Sequence, residues 1–320
     1  MAYRRIALAG IIIAVLLCTV LLIPLVQPRE VPPTPVVPGD KLDDILARGK
    51  LVIATDAAYP PNSELKAGAN RSEPTKCARN EYTAREFTGY NIAVAVEVAN
   101  RLGVEPCFVT PARTEIISGS WADRWDIHIG SLAITPERMK VMYFTQPYYA
   151  GPVSLFVNKN NKTYAKPGDL SGKKIGVCAG CILERYLEGT LDLPGQTISF
   201  AIKNATIVAY ENEAVALSDL ALGDGVKLDA VLTNKPLGED AIKSGAAIRQ
   251  LGNPVFYDYD GAAVDKKSSR NPGSFVRKVS GIIQEMNEDG TLLRFSEQYY
   301  GQDLVSETAR FNTSALGQTS

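Results

Sequence analysis

The chain has 320 residues, with 34 basic against 35 acidic side chains, a formal net charge of −1 and a hydrophobic share of 45%. That balance argues against nucleic acid as a partner, which asks for a basic surplus or patch. The hydrophobic share is enough for one or two globular cores.

In chain order the first feature is an apolar run over residues 6–26, IALAGIIIAVLLCTVLLIPLV, preceded by Arg4 and Arg5. Its 21 residues are enough to span a bilayer. The preceding positive charge puts the N-terminus in the cytoplasm and the rest outside. No small-x-small cleavage pattern follows, and Leu17 precedes Cys18 where a lipoprotein signal wants a small residue. Residues 1–26 therefore read as a signal or, preferably, an uncleaved transmembrane anchor. Residues 27–40 follow as a linker; five prolines in QPREVPPTPVVPG make it stiff and extended.

The body begins with an amphipathic helix over 41–48, stopped by Gly49, and a strand over 50–55 that runs into Asp56 and Tyr59-Pro60-Pro61. In open α/β sheets, ligands bind at that carboxyl edge. Residues 62–86 are polar without an apolar period. A helix over 91–102, a strand over 107–110, a helical segment over 114–121 and a strand over 125–130 complete a βαβαβ pattern, which implies a parallel sheet. Thr135 as N-cap and Pro136 at the first helical position then start a short helix. Arg138 sits one turn in, where a guanidinium fork beside free backbone N–H groups suits a carboxylate. A lone Arg on a short helix is more often a plain surface charge, so its company decides.

After Tyr149 a second alternation follows: strands over 153–158, 173–177, 206–210, 228–232 and 247–251, with helices over 182–191, 213–222 and 235–245. The chain then returns through a short strand over 261–264, an amphipathic helix over 274–286 and a final helix to Tyr300. Residues 309–320 read as polar and frayed. Outside the cytoplasm, cysteines favour disulfides. Of three pairings, spacing favours Cys77–Cys107 and Cys178–Cys181, each within one half of the body; free buried thiols are the alternative. His128, between Ile127 and Ile129, reads as a packed histidine.

This ordered set resembles the extracellular solute-binding proteins of family 3, which capture amino acids for ABC importers. The resemblance covers residues 41–301. It rests on Asp56 with Tyr59-Pro60-Pro61, Phe87-Thr88-Gly89-Tyr90, Ile134-Thr135-Pro136-Glu137-Arg138 with Phe144-Thr145-Gln146-Pro147-Tyr148-Tyr149, Leu228-Asp229-Ala230-Val231-Leu232, and Asp289-Gly290-Thr291-Leu292. It implies a two-lobed α/β periplasmic-binding-protein-like fold with two crossover strands. Lobe 1 takes residues 41–146 and 257–301, lobe 2 residues 151–251, and 302–320 form a tail. The lobes close on the ligand by hinge bending.

The same resemblance assigns the site. Arg138 clamps the ligand's carboxylate, beside a contact strip at Ser131 and Ala133. Ala133 stands where the family usually has a hydroxyl. Asp56 and Tyr59 line the pocket from the first loop. Arg113 falls near an aromatic position of relatives and could meet an acidic ligand side chain. Gly180 and Cys181 belong to a lobe 2 loop that offers N–H groups. Asn234 stands where amino-acid binders usually carry the Asp that pairs with the α-ammonium; this departure matters most. The resemblance implies a small-molecule ligand (an amino acid or other carboxylate), ABC permease subunits as partners, the outer face of the cytoplasmic membrane as location, and neither cofactor nor catalysis. The alternatives are a cyclohexadienyl-dehydratase-like enzyme, for which Asp56 is the evident pocket acid, or a ligand or redox sensor using the Cys178-x-x-Cys181 loop.

Overall fold

The computed structural model describes residues 39–211 and 213–317. The apolar run on which the anchor expectation rests, and the linker to residue 38, lie outside the described residues. Among the described residues, no helix is long and apolar enough to cross a membrane.

Asp40 caps α1 (Lys41–Arg48), accepting the Leu42 amide at 2.8 Å and the Ser274 hydroxyl at 2.6 Å. Then come β1 (Lys50–Ala54), β2 (Ala58–Tyr59), β3 (Ser63–Leu65), β4 (Tyr82–Thr83), β5 (Phe87–Thr88), α2 (Tyr90–Leu102), β6 (Glu105–Val109), α3 (Arg113–Ile117), β7 (Ile127–His128) and α4 (Pro136–Val141). They are followed by β8 (Met142–Asn158), β9 (Lys174–Cys178), α5 (Ile182–Glu188), β10 (Thr206–Tyr210), α6 (Glu213–Ala221), β11 (Ala230–Asn234), α7 (Lys235–Lys243), β12 (Ile248–Asp265), α8 (Gly273–Glu288) and α9 (Thr291–Tyr300).

One sheet runs through the body in the order β10-β9-β11-β8-β12-β7-β1-β6-β4, beside a small sheet β2-β3-β5. At one end β6, β1 and β7 are parallel; at the other, β10, β9 and β11 are. These are the two βαβ halves that the alternation implies. Each buries its own core. Ile45, Ile53, Val98, Phe108, Phe275 and Ile283 belong to one. Leu155, Ile175, Val177, Tyr186 and Leu232 belong to the other.

The halves are joined by the two expected crossover strands, but these are longer than the segments read in the sequence. The separate strands expected over 153–158, 247–251 and 261–264 are merged into two long antiparallel strands, β8 of 17 residues and β12 of 18. Pro147 and Pro152 look like strand breakers in sequence. In the structure β11 pairs with β8 only from Val153 onward. At both prolines β8 is bonded to β12 alone, so a missing N–H leaves no ladder bond unmade. The bends fall at irregularities in register, between Leu251 and Phe256 and around Gly261.

The strand expected over 125–130 pairs only at Ile127 and His128. Its neighbour Asp126 is buried and ties β7 to β1 and α1: the carboxylate takes the Val52 amide at 2.9 Å, the Arg48 guanidinium, and Lys41 at 3.6 Å. Both favoured disulfides are present, Cys77–Cys107 with Cα atoms 5.4 Å apart and Cys178–Cys181 at 5.7 Å.

The frayed C-terminus is corrected, as far as residue 317. After α9 the chain lies along the back of the two long strands. Leu304 and Val305 enter the first core, and the Ala150 amide donates to the Leu304 carbonyl at 2.8 Å. Phe311 is buried edge-on against Tyr259, with ring centroids 5.2 Å apart, and Tyr259 donates its hydroxyl to the Glu307 carbonyl. A side chain at Gly195, in the other half, would come within 3.2 Å of the Asn312 amide nitrogen. Isolated apolar residues in a polar stretch carry no period, so only tertiary packing reveals this strap.

Candidate functional site

The residues singled out in the first half converge where β1, β7 and the long strands end or cross. Thr135 caps α4, its hydroxyl accepting the Arg138 amide at 3.3 Å. The Arg138 side chain folds back, and one arm of its fork donates to the Ala133 carbonyl at 2.7 Å. Ala133 is bridged in turn to Asp260 of β12. Arg138 is thus half-buried and fixed by one arm, with the rest of the guanidinium turned to its electrostatic neighbours Asp258, Asp260 and Arg113. Arg113 opens α3 at the exposed rim. Asp56 is half-buried just beyond β1, and Ser131 accepts from the Asn91 amide group at 3.3 Å.

Two residues that sequence reasoning missed lie at the centre. Asp258 and Asp260 occupy alternate positions of β12, opposite Gly151 and Tyr149 of β8. The period of two turns Tyr257 and Tyr259 the other way, toward Glu307 and Arg310 of the strap. Gly151 leaves room beside Asp258; a Cβ there would strike the Tyr149 ring at 2.7 Å. One oxygen of each carboxylate is buried without a hydrogen-bond partner among the described residues. The signal was legible as Tyr257-Asp258-Tyr259-Asp260: acids at i and i+2 on a strand whose neighbours are core. Glu213, the third missed acid, opens α6 in the second half beside Thr233.

Burial sets the titration here. It pushes Asp258 up to about 6, against the pull of Arg138 and Arg113. Asp260 is held well above the ordinary carboxylate range, first by burial and then by repulsion from Asp258. Glu213 is raised by burial, and Asp258 adds to it while Thr233 hydrogen bonding opposes. Tyr59 is 39% exposed as a residue, yet its hydroxyl is raised by burial and by Glu213, Asp260 and Asp258. That set of neighbours comes from the first loop, the second half and the returning strand, so one electrostatic site spans both halves.

The halves also touch at its edges. Arg185 of α5 pairs with Glu137 of α4 at 3.1 Å, and Lys235 of α7 reaches Gln302 at 3.3 Å. Open grooves of about 370 and 500 Å³ lie outside these contacts, one lined by Met139, Pro194 and Ala315, the other by Ile242, Tyr300 and Gln302.

The second-half loop is placed less simply. The Gly180 amide already donates to Glu184 at 2.9 Å, and Cys181 is in its disulfide. Asn234 ends β11, its side-chain oxygen buried and without a partner among the described residues. His128 is buried, and a side chain at Gly130 would meet its ring at 2.6 Å. Cys77, Glu81 and Cys107 are metal-ligand types in close proximity, but the sulfurs are bonded to each other and Glu81 pairs with Lys50 at 2.7 Å.

The sequence profile of the bacterial extracellular solute-binding proteins, family 3, matches residues 51–302. The chain belongs to this family. As a family 3 solute-binding protein it has the two-lobed α/β fold of periplasmic binding proteins. It is similar to the L-cystine-binding protein TcyJ of Escherichia coli K12, 24% identical over 265 residues that cover 82% of this chain and 87% of the relative. It is also similar to the lysine/arginine/ornithine-binding periplasmic protein of Escherichia coli K12, 25% identical over 258 residues, covering 78% and 86%. Among solved structures, the ancestral amino acid-binding protein AncCDT-1, described as a precursor of cyclohexadienyl dehydratase, matches with a TM-score of 0.60 and 26% identity, covering 81% of this chain and 99% of the other.

For this solute-binding protein the cleft has a measurable pH signature. Burial, with Arg113 and Arg138 nearby, lowers His128 to about 3 from the ordinary 6.5. Its neutral form stabilises the fold above pH 6.5, and that contribution is lost as pH falls toward 3. Asp258, raised from 3.8 to about 6, works in the opposite sense: the folded state takes up its proton first and gains stability as pH falls through 6. Asp260 and Glu213 are raised too and gain in the same sense as Asp258, so three acids offset the loss at His128. Asp258→Asn should melt about 2–6 °C above the parent at pH 7.5 and fall more steeply toward pH 5. Solvent reaching the half-open Asp258 trims the effect. A shallower slope in the variant would show that Asp258 does not take up the proton.

Proposed function

We propose that the chain captures a small ligand bearing a carboxylate, an amino acid or close relative, outside the cytoplasm and delivers it to the permease of an ABC importer. The lobes, residues 41–146 with 257–301 and residues 151–251, close on the ligand by bending at β8 and β12. Residues 6–26 tether the protein to the membrane, and the proline-rich segment holds the body off its surface. No catalysis is part of this reading.

The observation that carries it is Arg138: half-buried, held by one arm on the Ala133 carbonyl, and leaving donors toward the cleft. A guanidinium so fixed is preorganised for a carboxylate. The names of the relatives fit, since cystine, lysine, arginine and ornithine all carry one. Asp56, Tyr59, Arg113, Ser131 and Asn234 complete the contact set, with Gly180 and Cys181 across the cleft once Glu184 gives way.

Thermal melting of the full-length chain against twenty amino acids and a set of small organic acids tests this. Specific binding at a hundred times the dissociation constant stabilises by about 2.7 kcal/mol, a shift of several degrees. A flat response to every compound would sink the receptor. The raised carboxyl groups are also what an acid-assisted elimination needs. Prephenate or arogenate consumed on incubation would favour the dehydratase instead.

A further inference from the structure

The charges in the cleft say more than that a carboxylate binds. Asp258 and Asp260 sit two residues apart on β12, on the face that shares Arg113, Arg138 and Tyr59 as electrostatic neighbours. Asp260 is only 3% exposed, and each carboxylate leaves one buried oxygen without a partner among the described residues. Among those residues no lysine or arginine is bonded to either; Arg138 spends one arm on Ala133. Native structures rarely leave buried acceptors unpaired, because an unmade bond to a charged group costs several times a made one. Two such acceptors side by side, with like charges, fit a partner that arrives with the ligand and brings both N–H donors and positive charge.

The charge balance narrows that partner. Without a ligand, burial keeps protons on these acids; a cationic ligand that displaces them meets Arg113 and Arg138 at +2 against Asp258, Asp260 and Glu213 at −3, a group at −1. A zwitterionic ligand brings no net charge and leaves that excess in a cleft that closure removes from water. An acidic ligand makes it worse, although Arg113 viewed alone invites one. A ligand with one carboxylate and two cationic groups brings +1 and closes the balance.

We infer that Asp258 and Asp260, on the returning crossover strand, are the cation-recognising residues of the cleft, and that the ligand is a dibasic amino acid. The inference rests on the receptor reading above, with the carboxylate on Arg138. The pair meets the side-chain cation, which L-glutamine lacks. Glu213, from the second lobe and beside Thr233, meets the α-ammonium that Asn234 lacks the charge to hold. Recognition of the cation therefore lies on the hinge itself rather than on one lobe.

Calorimetric titration of the full-length chain at pH 7.5 with L-arginine, L-lysine, L-ornithine, L-glutamine and L-glutamate is the test. At least one dibasic amino acid should bind about 100-fold or more tighter than L-glutamine, with L-glutamate weakest, as expected for a desolvated charge pair. Asp258→Asn and Asp260→Asn keep the side-chain volume. Each should reduce the dibasic-to-glutamine preference by about 10-fold or more, with glutamine affinity little changed. Melting curves establish that each variant is folded; the ligand ranking of the parent chain decides independently if one is not. Glutamine or glutamate bound as tightly as every dibasic amino acid, or a preference unmoved in both folded variants, overturns the inference. In that event, binding that still depends on Arg138 leaves the receptor standing. Absence of binding by any amino acid or organic acid removes both.

Discussion

Arg138→Ala is expected to weaken ligand binding by about 100-fold or more, and Arg138→Lys by about 10- to 100-fold. The lysine keeps a charge but not the fork, and its flexible stem cannot hold the Ala133 carbonyl and a carboxylate in one geometry. Titration with whichever amino acid the parent chain binds gives the comparison. The alanine variant also leaves Asp258 and Asp260 with Arg113 as their remaining opposing charge, so its ligand-free form should melt lower than the parent. Ligand effects must therefore be read against each variant's own baseline. Binding unchanged in Arg138→Ala would place the carboxylate elsewhere and remove the central support for the receptor.

The second large effect concerns stability. Replacing Cys77 and Cys107 together by serine should cost about 3–4 kcal/mol, because the bond closes a loop of 30 residues. In a chain of this size that lowers the melting midpoint by about 5–7 °C. The loop it pins has little apolar content. Its other supports are polar: Arg71 donates to the Glu81 carbonyl at 2.6 Å, to the Ala78 carbonyl at 2.9 Å and to the Cys77 carbonyl. The Cys178–Cys181 bond spans a separation of 3. The same reasoning gives it about 1–2 kcal/mol. Scanning calorimetry of the two double-serine variants separates them. Equal losses would mean that the short loop does more than close a turn.

How far the sequence carried depends on whether a signal was local. Thr135-Pro136 at a helix start, the alternation of strands and helices and the short-range cysteine pairings are local, and the structure has each of them. So is Arg138, three residues from its cap. What escaped was set by contacts distant in the chain. Pro147 and Gly151-Pro152 punctuate the sequence like turns, yet β8 runs through them because β12 supplies its ladder, while Gly252-Asn253-Pro254 fall in a register irregularity of β12. Asp258 and Asp260 fall between the strands read over 247–251 and 261–264, and only the register with Tyr149 and the charge of Arg138 give them meaning. Asn234, a departure from the family pattern in sequence, gains meaning only beside the acids that stand on a different strand.

The strap over β8 and β12 has a mechanical consequence. Two neighbouring strands that join two bodies are soft in bending and soft in torsion. Residues 304–312 make a third pass over the same junction, fastened at Ala150 and Tyr259 and reaching Gly195 beyond it. Movement of one half against the other must therefore shift these contacts as well, so Phe311, packed on Tyr259, stiffens the junction from the far side.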